Sequence, residues 1–453
     1  MPVSPFGLPE TKLLKERSPA SLVQKPKGDR VAFSDGEYPF SVRSIDLVIE
    51  KAKMGKKIVL LGFYVGDSYF DRYSKDDAFP QIAAYKLEKR FLDALRFGGA
   101  CVQTIASIAV STYPRNKNWF FPGGSFSDVS GTGVVTPIVN LPIFKVFTRL
   151  LGSLAGLIKH KNGLDAVCVY AAHTPNLLAA FMMQKLCGVP FFVFIPDLPS
   201  YMDMGMKRSK VLRGLKKIDA YIIDRLIAAS SGVFVTSQHM VKDSLVWSDK
   251  NYLVVEGISN ASAVSVESVD NSLERKKVIF YAGGLNKAYG IVELIEGFIE
   301  SEVDAELWLC GRGELEGYIS ETSRMHPSVK YLGFLTASEV EHIQSSASCL
   351  VLSRSPEHAY TRYSFPSKLL EYLASGVPIL TTRLEGIPDE YYEFLNVIED
   401  STAGGVSTAL KRFFAADQQF LLEKAACGRI WVSETKSSFA VGQKIVDFME
   451  KSN

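Results

Sequence analysis

The sequence predicts an α/β protein with two doubly wound domains, each a parallel sheet covered by helices, that face each other across a central cleft. Short apolar segments alternate with amphipathic helical patterns along most of the chain, as parallel sheets covered on both faces require. The polar stretch Val264–Lys277 interrupts this alternation and suits a linker between two such series. With 453 residues in total, each half can bury its own core.

The first series is preceded by an N-terminal extension, residues 1–55, which is rich in Lys, Pro and Ser and is expected to be partly disordered. A short helix is predicted within it at Val42–Ala52. The first domain, 56–265, opens with a buried strand in Lys56–Asp67 that runs into a glycine-containing loop. Apolar runs predict further strands at Ala100–Ile108, Ala166–Tyr170, Pro190–Ile195, Gly232–Thr236 and Tyr252–Val255, and amphipathic patterns predict helices at Gln81–Leu95, Ile143–Lys159 and Asn176–Cys187.

The second series fills residues 276–435. Its predicted strands are Val278–Ala282, Glu306–Cys310, Val329–Leu332, Cys349–Ser353 and Ile379–Thr382, and its predicted helices are Ile291–Ile299, Leu315–Met325, Ala337–Ser346 and Ser364–Ser375. Further helices are predicted around Ser407–Ala415, Gln418–Cys427 and Phe439–Lys451. Ligands bind beyond the carboxyl ends of the strands in sheets of this kind, so the active site is expected there.

Composition narrows the possible functions. A net charge of +2 gives no electrostatic reason to expect a nucleic acid partner. The six cysteines are scattered without a CxxC pair or a Cys/His cluster, so we expect buried free thiols, no zinc and no other metal. The first residues lack the long apolar core of a signal peptide, and charged residues or prolines break the most apolar stretches. We therefore expect a cytoplasmic protein that is at most peripheral to a membrane.

The segment Tyr363–Thr382 carries the most functional information, and it reads as a loop, a short helix and a strand. Pro366 suits the first turn of the helix, and Ser364 or Ser367 can cap its free amides. Gly376 ends the helix. Its predicted apolar face consists of Leu369, Leu370 and Leu373.

Two charged residues of this helix suggest a ligand. Lys368 lies beside the free amides and the positive end of the helix dipole, which together suit a diphosphate. Glu371 lies within reach of a sugar hydroxyl carried by those phosphates. The alternative is a capped helix whose Lys and Glu simply face water, and the residues alone leave both interpretations open.

The sequence SFPSKLLEYLASGVPIL resembles the nucleotide-sugar motif of glycosyltransferase family 4, retaining enzymes of the GT-B fold that are used in bacterial surface polysaccharide synthesis. The resemblance implies two Rossmann-like domains, with the last helix, 436–453, crossing back onto the first. It implies that Glu371 holds the nucleotide ribose, and that the donor diphosphate meets Phe365, Pro366, Ser367 and Lys368. The family carries a second glutamate eight residues earlier, where this chain has Tyr363.

A glycine-rich loop follows the first strand of the second domain. Gly283 and Gly284 let a ligand approach the backbone, and Lys287 can reach a phosphate, although any strand-to-helix turn can contain such glycines. The resemblance implies an Arg and a Lys that neutralise the diphosphate, at positions that are Gly284 and Tyr289 here. Lys287 is a substitute candidate, and the other possible sources of positive charge are Arg312, Arg354, Arg362 and Lys368.

Two further loops are implied to lie beside the nucleotide base. Gly311 and Gly313 follow one strand, and Gly333 and Phe334 follow the next. Beyond them Thr336 and Glu339 form the pattern of a helix capping box, which requires no ligand.

The first domain offers fewer candidates. Gly62 and Gly66 resemble the family's loop that faces the acceptor, and Asp197 stands after a strand at a cleft position. His173 also follows a strand and is a candidate sugar contact, but a role at the start of the next helix is equally open. Retaining GT-B enzymes require no protein nucleophile, so none is assigned, and the candidates for catalytic contacts are Asp197, His173 and Lys287.

Two segments raise the question of a membrane. Trp119–Phe121 lies near Arg115 and Lys117 after Pro114 and is predicted to be an exposed aromatic and basic loop suited to a membrane surface. The apolar helix Ile143–Lys159 is predicted to pack on the sheet, with a membrane-surface role as the alternative.

The resemblance to glycosyltransferase family 4 implies a hexosyltransferase-type enzyme that moves a sugar from a UDP- or GDP-linked donor to a glycan or lipid-linked acceptor with retention. The nucleotide sugar is a substrate, and no cofactor is expected. Two alternatives stay open at this point. One is a sugar-nucleotide epimerase of the same fold, and the other is a non-catalytic partner subunit.

Overall fold

The computed structural model describes residues 55–75, 77, 79–198, 210–259 and 277–452. All of them belong to one compact unit, Phe40–Asn453. Apart from Gly55 and Lys277, the predicted extension, its helix at Val42–Ala52 and the linker at Val264–Lys277 lie outside the described residues.

The first half of the described chain is built around a sheet of eight strands. Its elements are β1 (Lys57–Gly62), α1 (Asp67–Ser74), α2 (Ile82–Phe97), β2 (Cys101–Ala106), β3 (Phe120–Phe121), β4 (Gly124–Asp128), β5 (Gly131–Val135), β6 (Ile138–Val139), α3 (Phe144–Lys159), β7 (Ala166–Tyr170), α4 (Thr174–Cys187), β8 (Phe191–Ile195), α5 (Lys210–Ala229), β9 (Gly232–Val235), α6 (His239–Lys242) and β10 (Tyr252–Val254).

The strand order of this sheet is β10-β9-β8-β7-β1-β2-β5-β4, and every neighbouring pair is parallel except β4 and β5. Strands β7 and β8 are buried at every position, which explains their unbroken apolar sequences. The order reverses direction between β1 and β7. The carboxyl ends of these two strands therefore border the crevice where doubly wound sheets bind ligands.

Some elements of this half were not predicted. Strands β4 and β5 form an antiparallel hairpin, and β3 pairs with β6 outside the main sheet. The glycines and serines of β4 and β5 hide the apolar alternation that marks a strand. Helix α5 was missed as well.

The second half contains a six-stranded sheet in which every pair is parallel. Its elements are β11 (Val278–Ala282), α7 (Ile291–Ser301), β12 (Glu306–Cys310), α8 (Glu316–Met325), β13 (Val329–Tyr331), α9 (Ala337–Ser346), β14 (Cys349–Leu352), α10 (Tyr360–Tyr363), α11 (Lys368–Ser375), β15 (Ile379–Thr382), β16 (Asn396–Ile398), α12 (Ala403–Ala415), α13 (Gln418–Thr435) and α14 (Ser438–Lys451). The order β13-β12-β11-β14-β15-β16 reverses between β11 and β14. Together the two sheets confirm the predicted fold class.

The final helix returns to the first half of the chain. Helix α14 packs against α2, and a Cβ atom on Gly442 would lie only 1.9 Å from the carbonyl oxygen of Ala94. Glycine is needed at Gly442 because the two backbones approach so closely. At the start of the crossing, the buried ammonium of Lys436 bonds Glu256 from the first half and Glu390 from the second, at 3.0 and 2.9 Å.

The cysteines match the prediction in part. Cys168, Cys310 and Cys349 are buried free thiols, whereas Cys101, Cys187 and Cys427 are exposed, so the expectation of burial was wrong for these three. Cys187 is the last residue of α4, and its neighbour Leu186 is also exposed. Apolar sequence context alone did not identify which face of these elements is covered.

Candidate functional site

The glycine loops of the second sheet pack directly on one another at the carboxyl ends of β11, β12 and β13. The amide of Gly283 donates to the carbonyl of Cys310 at 3.0 Å, and that of Gly311 donates to Gly333 at 2.8 Å. Gly311 has a φ of +138°, and a Cβ atom there would lie 1.8 Å from the carbonyl oxygen of Gly283. Only glycine fits. The structure thus brings together four predicted residues, Gly283, Gly311, Gly313 and Gly333.

Helix α11 begins later than predicted. Its first residue is Lys368, and Ser367 occupies the N-cap position without a side-chain capping bond. The side chains of Phe365 and Pro366 are buried, so a donor contact at either residue would involve the backbone. Gly376, with a φ of +71°, ends the helix as predicted. The predicted apolar face is buried: Leu369, Leu370 and Leu373.

The two charged residues of α11 lie together in its first turn. The ammonium of Lys368 is 3.3 Å from Glu371 Oε2, and Arg90 Nη2, from α2 of the first half, is 3.5 Å from Glu371 Oε1. Burial raises the pKa of the Cys310 thiol to about 11, and the positive charge of Lys368 opposes this rise. Lys368 therefore lies near the end of β12, on the side of the glycine loops. Glu371 faces the first half of the chain.

A cation lies beside the position where the family pattern places its lysine. The guanidinium carbon of Arg354, which follows β14, is 4.8 Å from the centre of the Tyr289 ring. Lys287 is exposed and forms no ion pair with any described residue, while its backbone amide donates to Glu314 Oε1 at 3.0 Å. Of the two, Arg354 is the cation held in a fixed orientation.

A second arginine is stacked on an exposed ring at the neighbouring loops. The guanidinium carbon of Arg312 is 4.7 Å from the centre of the Phe334 ring, and Phe334 is 68% exposed. An exposed flat ring with a cation over one face suits stacking by a planar ligand. The capping box predicted next to it is present, with Thr336 and Glu339 bonding reciprocally.

Tyr363 connects the two halves of the chain. Its hydroxyl donates to Asp243 Oδ2 at 3.0 Å. Arg362 bonds both oxygens of the same carboxylate, at 2.7 and 3.2 Å, and also pairs with Glu385. These bonds, that of Arg362 above all, lower the pKa of Asp243. Ser237 adds a bond to the carbonyl of Arg362 at 2.8 Å. Arg362 is thus engaged between the halves, and its charge is compensated.

A cavity of about 230 Å³ adjoins this contact between the halves. Its lining residues are Ser237, Gln238, Val254, Glu256, Glu385, Gly386, Pro388 and Glu390. Its three carboxylates pair with Lys436 and Arg362, and its lining contains no basic side chain, so the glycine loops and their cations suit a diphosphate better.

The first sheet has its own cluster at the point where its strand order reverses. The rings of Phe63, after β1, and His173, after β7, meet edge to face with centres 5.1 Å apart. Arg149 of α3 lies 5.2 Å from the centre of the Phe63 ring and 3.3 Å from His173 Nε2, and it donates to the carbonyl of Ile108 at 2.5 Å. Burial, together with the charges of Arg149 and Lys145, holds the pKa of His173 well below its usual value. His173 is therefore neutral at pH 7.

The cluster is cationic and lacks a paired acid. Arg149 and Lys145 form no ion pair with a described residue, and Arg149 Nε is buried without a hydrogen-bond partner there. Desolvation lowers the pKa of Lys145 to about 7 and that of Arg149 to about 10. Sequence analysis did not connect these two residues with His173. Lys145 and Arg149 are four residues apart in an apolar helix, and this spacing could have indicated that both lie on the same side of it.

The remaining first-domain candidates border the same edge. Gly62 ends β1 and Gly66 follows it, and between them Glu88 of α2 accepts bonds from the amides of Phe63 and Tyr64 at 2.8 and 3.0 Å. Gly62 leaves room for this carboxylate, since a Cβ atom there would lie 2.0 Å from Glu88 Oε1. Asp197 is exposed after β8. His173 is at the N-cap position of α4, but its ring forms no capping bond.

The loop at Trp119–Phe121 is exposed only in part. Trp119 and Phe120 are exposed, whereas Phe121 is fully buried, so the prediction was wrong for that ring. It points inward because strand β3 alternates its side chains between solvent and core. Among the described helices, none has both the length and the apolar content needed to cross a bilayer.

Comparison with known proteins adds a family and a fold. Residues 276–412 match the family of glycosyl transferases group 1. No protein of curated function matches the sequence.

Several solved structures are similar over most of the chain. Sucrose-phosphate synthase from Thermosynechococcus elongatus is 14% identical, with 87% of this chain and 98% of that chain covered and a TM-score of 0.58. The lipopolysaccharide outer core galactosyltransferase WaaB is 12% identical, with 88% of this chain and 100% of that chain covered and a TM-score of 0.58. Anabaena HepE, in complex with UDP, is 14% identical, with 87% of this chain and 100% of that chain covered and a TM-score of 0.56.

At these identities the likeness shows a shared fold, and the family match concerns the second half of the chain. The segment that matches, 276–412, contains all four packed glycines together with Lys368 and Glu371. The predicted resemblance is thereby confirmed at the level of group 1. Residues 276–412 thus match the group 1 glycosyltransferases, and the chain shares its fold with solved glycosyltransferases of GT-B architecture.

Proposed function

We propose that this enzyme transfers a sugar from a UDP- or GDP-linked donor to a glycan or lipid-linked acceptor and retains the anomeric configuration. Residues 276–435 hold the donor, and residues 56–265, joined by 436–453, hold the acceptor. The observation that carries the proposal is the packed glycine edge of the second sheet, with Lys368 beside it. It combines glycines, whose lack of a side chain lets a ligand approach, with a cation and the positive end of a helix, as a diphosphate requires.

Each part of the donor has a candidate partner. The diphosphate meets the backbone at Gly283, Gly284 and residues 365–367, with Lys368 and Arg354 as cations. Glu371 accepts bonds from the ribose. The base stacks near Phe334, beside Gly311, Gly313 and Gly333. A uridine nucleotide is supported by the HepE structure, which contains UDP.

The acceptor lies against the carboxyl edge of the first sheet, near Gly62, Gly66 and His173. As the donor bond breaks, negative charge develops on the departing diphosphate, and fixed amides and cations stabilise it without rearranging. His173, neutral because burial and two cations lower its pKa, can hydrogen-bond a sugar hydroxyl without adding charge. Asp197 and Lys287 are the other candidates for contact with the reacting sugar.

We also infer that the reaction needs no metal ion, since amides and basic side chains supply the positive charge. The proposed setting is polysaccharide or glycoconjugate synthesis by a cytoplasmic protein at the inner face of a membrane.

The test is a donor and acceptor panel run on the full chain. UDP- and GDP-hexoses are incubated with glycan and lipid-linked acceptors, with and without EDTA, and the product anomer is assigned by NMR. The proposal requires transfer with retention that is insensitive to EDTA. Donor interconversion without an acceptor, an inverted product or loss of activity with EDTA would each overturn the corresponding part.

A further inference from the structure

Helix α3 carries apolar side chains on its outward face as well as on its inward face. The buried residues of this helix are Arg149, Ser153, Gly156 and Leu157. Gly156 packs against Ile105 of β2, where a Cβ atom would lie 2.7 Å from the Ile105 side chain. The helix therefore packs on the sheet as predicted, through Leu157 and its partly buried neighbours Leu150 and Leu154 as well as through small residues. A second set of large apolar side chains points outward.

The outward side chains form a continuous stripe, which we call the α3 face. Phe144, Phe147 and Leu151 are 61%, 58% and 63% exposed, and their spacing of three and four residues aligns them along the helix. Ile143 and Ile158 extend the stripe at its two ends. Apolar residues scattered singly over a surface need no explanation, but a stripe along the length of a helix does.

Two more exposed aromatic residues adjoin the start of the α3 face. Trp119 and Phe120 are 60% and 45% exposed. Strand β3 pairs with β6, and the amide of Asn140 donates to the carbonyl of Trp119 at 2.6 Å. The backbone at Trp119 is thus bonded to a residue only four positions before Phe144.

The charged residues in the stretch of chain that forms this surface are almost all basic. Four basic residues flank it and are exposed: Arg115, Lys117, Lys159 and Lys161. From Arg115 to Lys161 the only acidic residue is Asp128, and its carboxylate accepts a bond from the Tyr64 hydroxyl. Exposed aliphatic and aromatic side chains framed by lysine and arginine match the interface of an anionic bilayer, where rings enter the headgroup layer and cations meet phosphates.

We propose that the α3 face, with Trp119 and Phe120, is a docking surface for an anionic lipid bilayer. The inward side of the same helix connects this surface to the acceptor edge of the first sheet. Arg149 bonds the carbonyl of Ile108, and Lys145 bonds that of Val110, in the loop beyond β2. A bilayer on the outward side would thus lie next to the crevice that contains His173. The purpose of docking rests on the proposed lipid-linked acceptor, but the docking itself requires neither donor nor acceptor.

The test is cosedimentation of the full chain with vesicles of phosphatidylcholine alone or mixed equally with phosphatidylglycerol, without substrates. Binding is expected only to the anionic vesicles and should fall with added salt. Phe144→Ser with Phe147→Ser and Leu151→Ser should weaken the vesicle partition coefficient by about tenfold or more. The matched control is Phe420→Ser with Leu422→Ser, two exposed apolar residues of α13 that should leave binding unchanged.

Two further measurements complete the test. Lys159→Gln with Lys161→Gln should reduce binding to anionic vesicles, whereas Lys411→Gln with Lys451→Gln should not. Vesicles should shift the tryptophan emission to shorter wavelength, and Trp119→Phe should abolish that shift. If the supernatant contained the same amount of protein with and without anionic vesicles, the proposal would be overturned. So would a dimer in solution that the triple serine variant converts to a monomer, because a second copy would then cover the face. Either result would overturn the docking proposal alone. The proposed donor binding and the transfer to a water-soluble acceptor would still stand and are measured separately.

Discussion

Tyr363 donates its hydroxyl hydrogen to Asp243, across the boundary between the two halves of the chain, at 3.0 Å. The resemblance to glycosyltransferase family 4 implies a glutamate at the position of Tyr363, eight residues before Glu371. In this chain Tyr363 links the two halves through its bond to Asp243. Its neighbour Arg362 strengthens the link by bonding the same carboxylate. Tyr363, which replaces the glutamate of the family pattern, therefore has a structural role through its bond to Asp243.

The first prediction concerns this link. Tyr363→Phe keeps the ring and removes the hydroxyl, so it should lower the melting temperature while changing the UDP dissociation constant by less than about twofold, measured by calorimetry. Tyr363→Glu should lower the melting temperature further, because it brings a second carboxylate beside Asp243. If Tyr363→Phe weakened UDP binding tenfold, the hydroxyl would belong to the donor site.

The second prediction identifies the cation that replaces the missing family pair. Arg354 is held over the Tyr289 ring, whereas Lys287 is exposed. Arg354→Met should therefore weaken UDP binding by about tenfold or more, as loss of a charge-assisted hydrogen bond does, and Lys287→Met should weaken it less. Isothermal titration of both variants decides the order. The reverse order would make Lys287 the principal substitute.

The third prediction concerns the diphosphate. Lys368→Ala should cost about 1.5–3 kcal/mol of UDP binding, the contribution of one hydrogen bond from a charged group. UMP, which lacks the second phosphate, should lose less, so the preference for UDP over UMP should narrow. Lys411→Ala on α12 is the control for loss of a lysine charge. A Lys368 variant with unaltered affinity for UDP and unaltered activity would remove this residue from the site.

The fourth prediction assigns the ribose. Glu371→Ala should raise the UDP dissociation constant by about tenfold or more, yet scarcely change that of 2′,3′-dideoxy-UDP, which has no ribose hydroxyls to donate. Arg90→Ala removes the other partner of Glu371 and should not weaken UDP binding, because the freed carboxylate still accepts from the ribose. Equal losses for UDP and its dideoxy analogue would show that Glu371 does not bind the hydroxyls.

Sequence patterns predicted most of the second half. Strands β11, β12 and β15 and helix α9 match the predicted residues at both ends, because each is an apolar run or a capped helix with local stop signals. The glycine loops were also predicted from local sequence, because their glycines directly follow predicted strands. Their packing depends on close backbone approach, and only glycine allows that approach at Gly311.

Contacts between distant residues were less accessible. His173 was a candidate, but its neighbours Arg149 and Phe63 come from other elements, and no local pattern reports such contacts. For α3, periodicity identified an apolar stripe but not whether the fold covers it. The sequence of an exposed apolar face and that of a buried one follow the same 3.6-residue period.

The last prediction concerns the pH dependence of stability through Glu88. This carboxyl is fully buried beneath the loop after β1, and burial raises its pKa from 4.5 to about 8, against the lowering effect of its two backbone hydrogen bonds. Between these values the folded state binds a proton that the unfolded state releases. The contribution of Glu88 to stability is therefore complete below about pH 4.5 and is lost as the pH rises through about 8. Glu88→Gln keeps an acceptor oxygen for the amides of Phe63 and Tyr64 but cannot ionise. Between pH 6 and 8.5 its melting temperature should fall less than that of the unaltered protein, in calorimetry at constant ionic strength. Parallel curves for the two proteins would mean that Glu88 has an ordinary pKa in the fold.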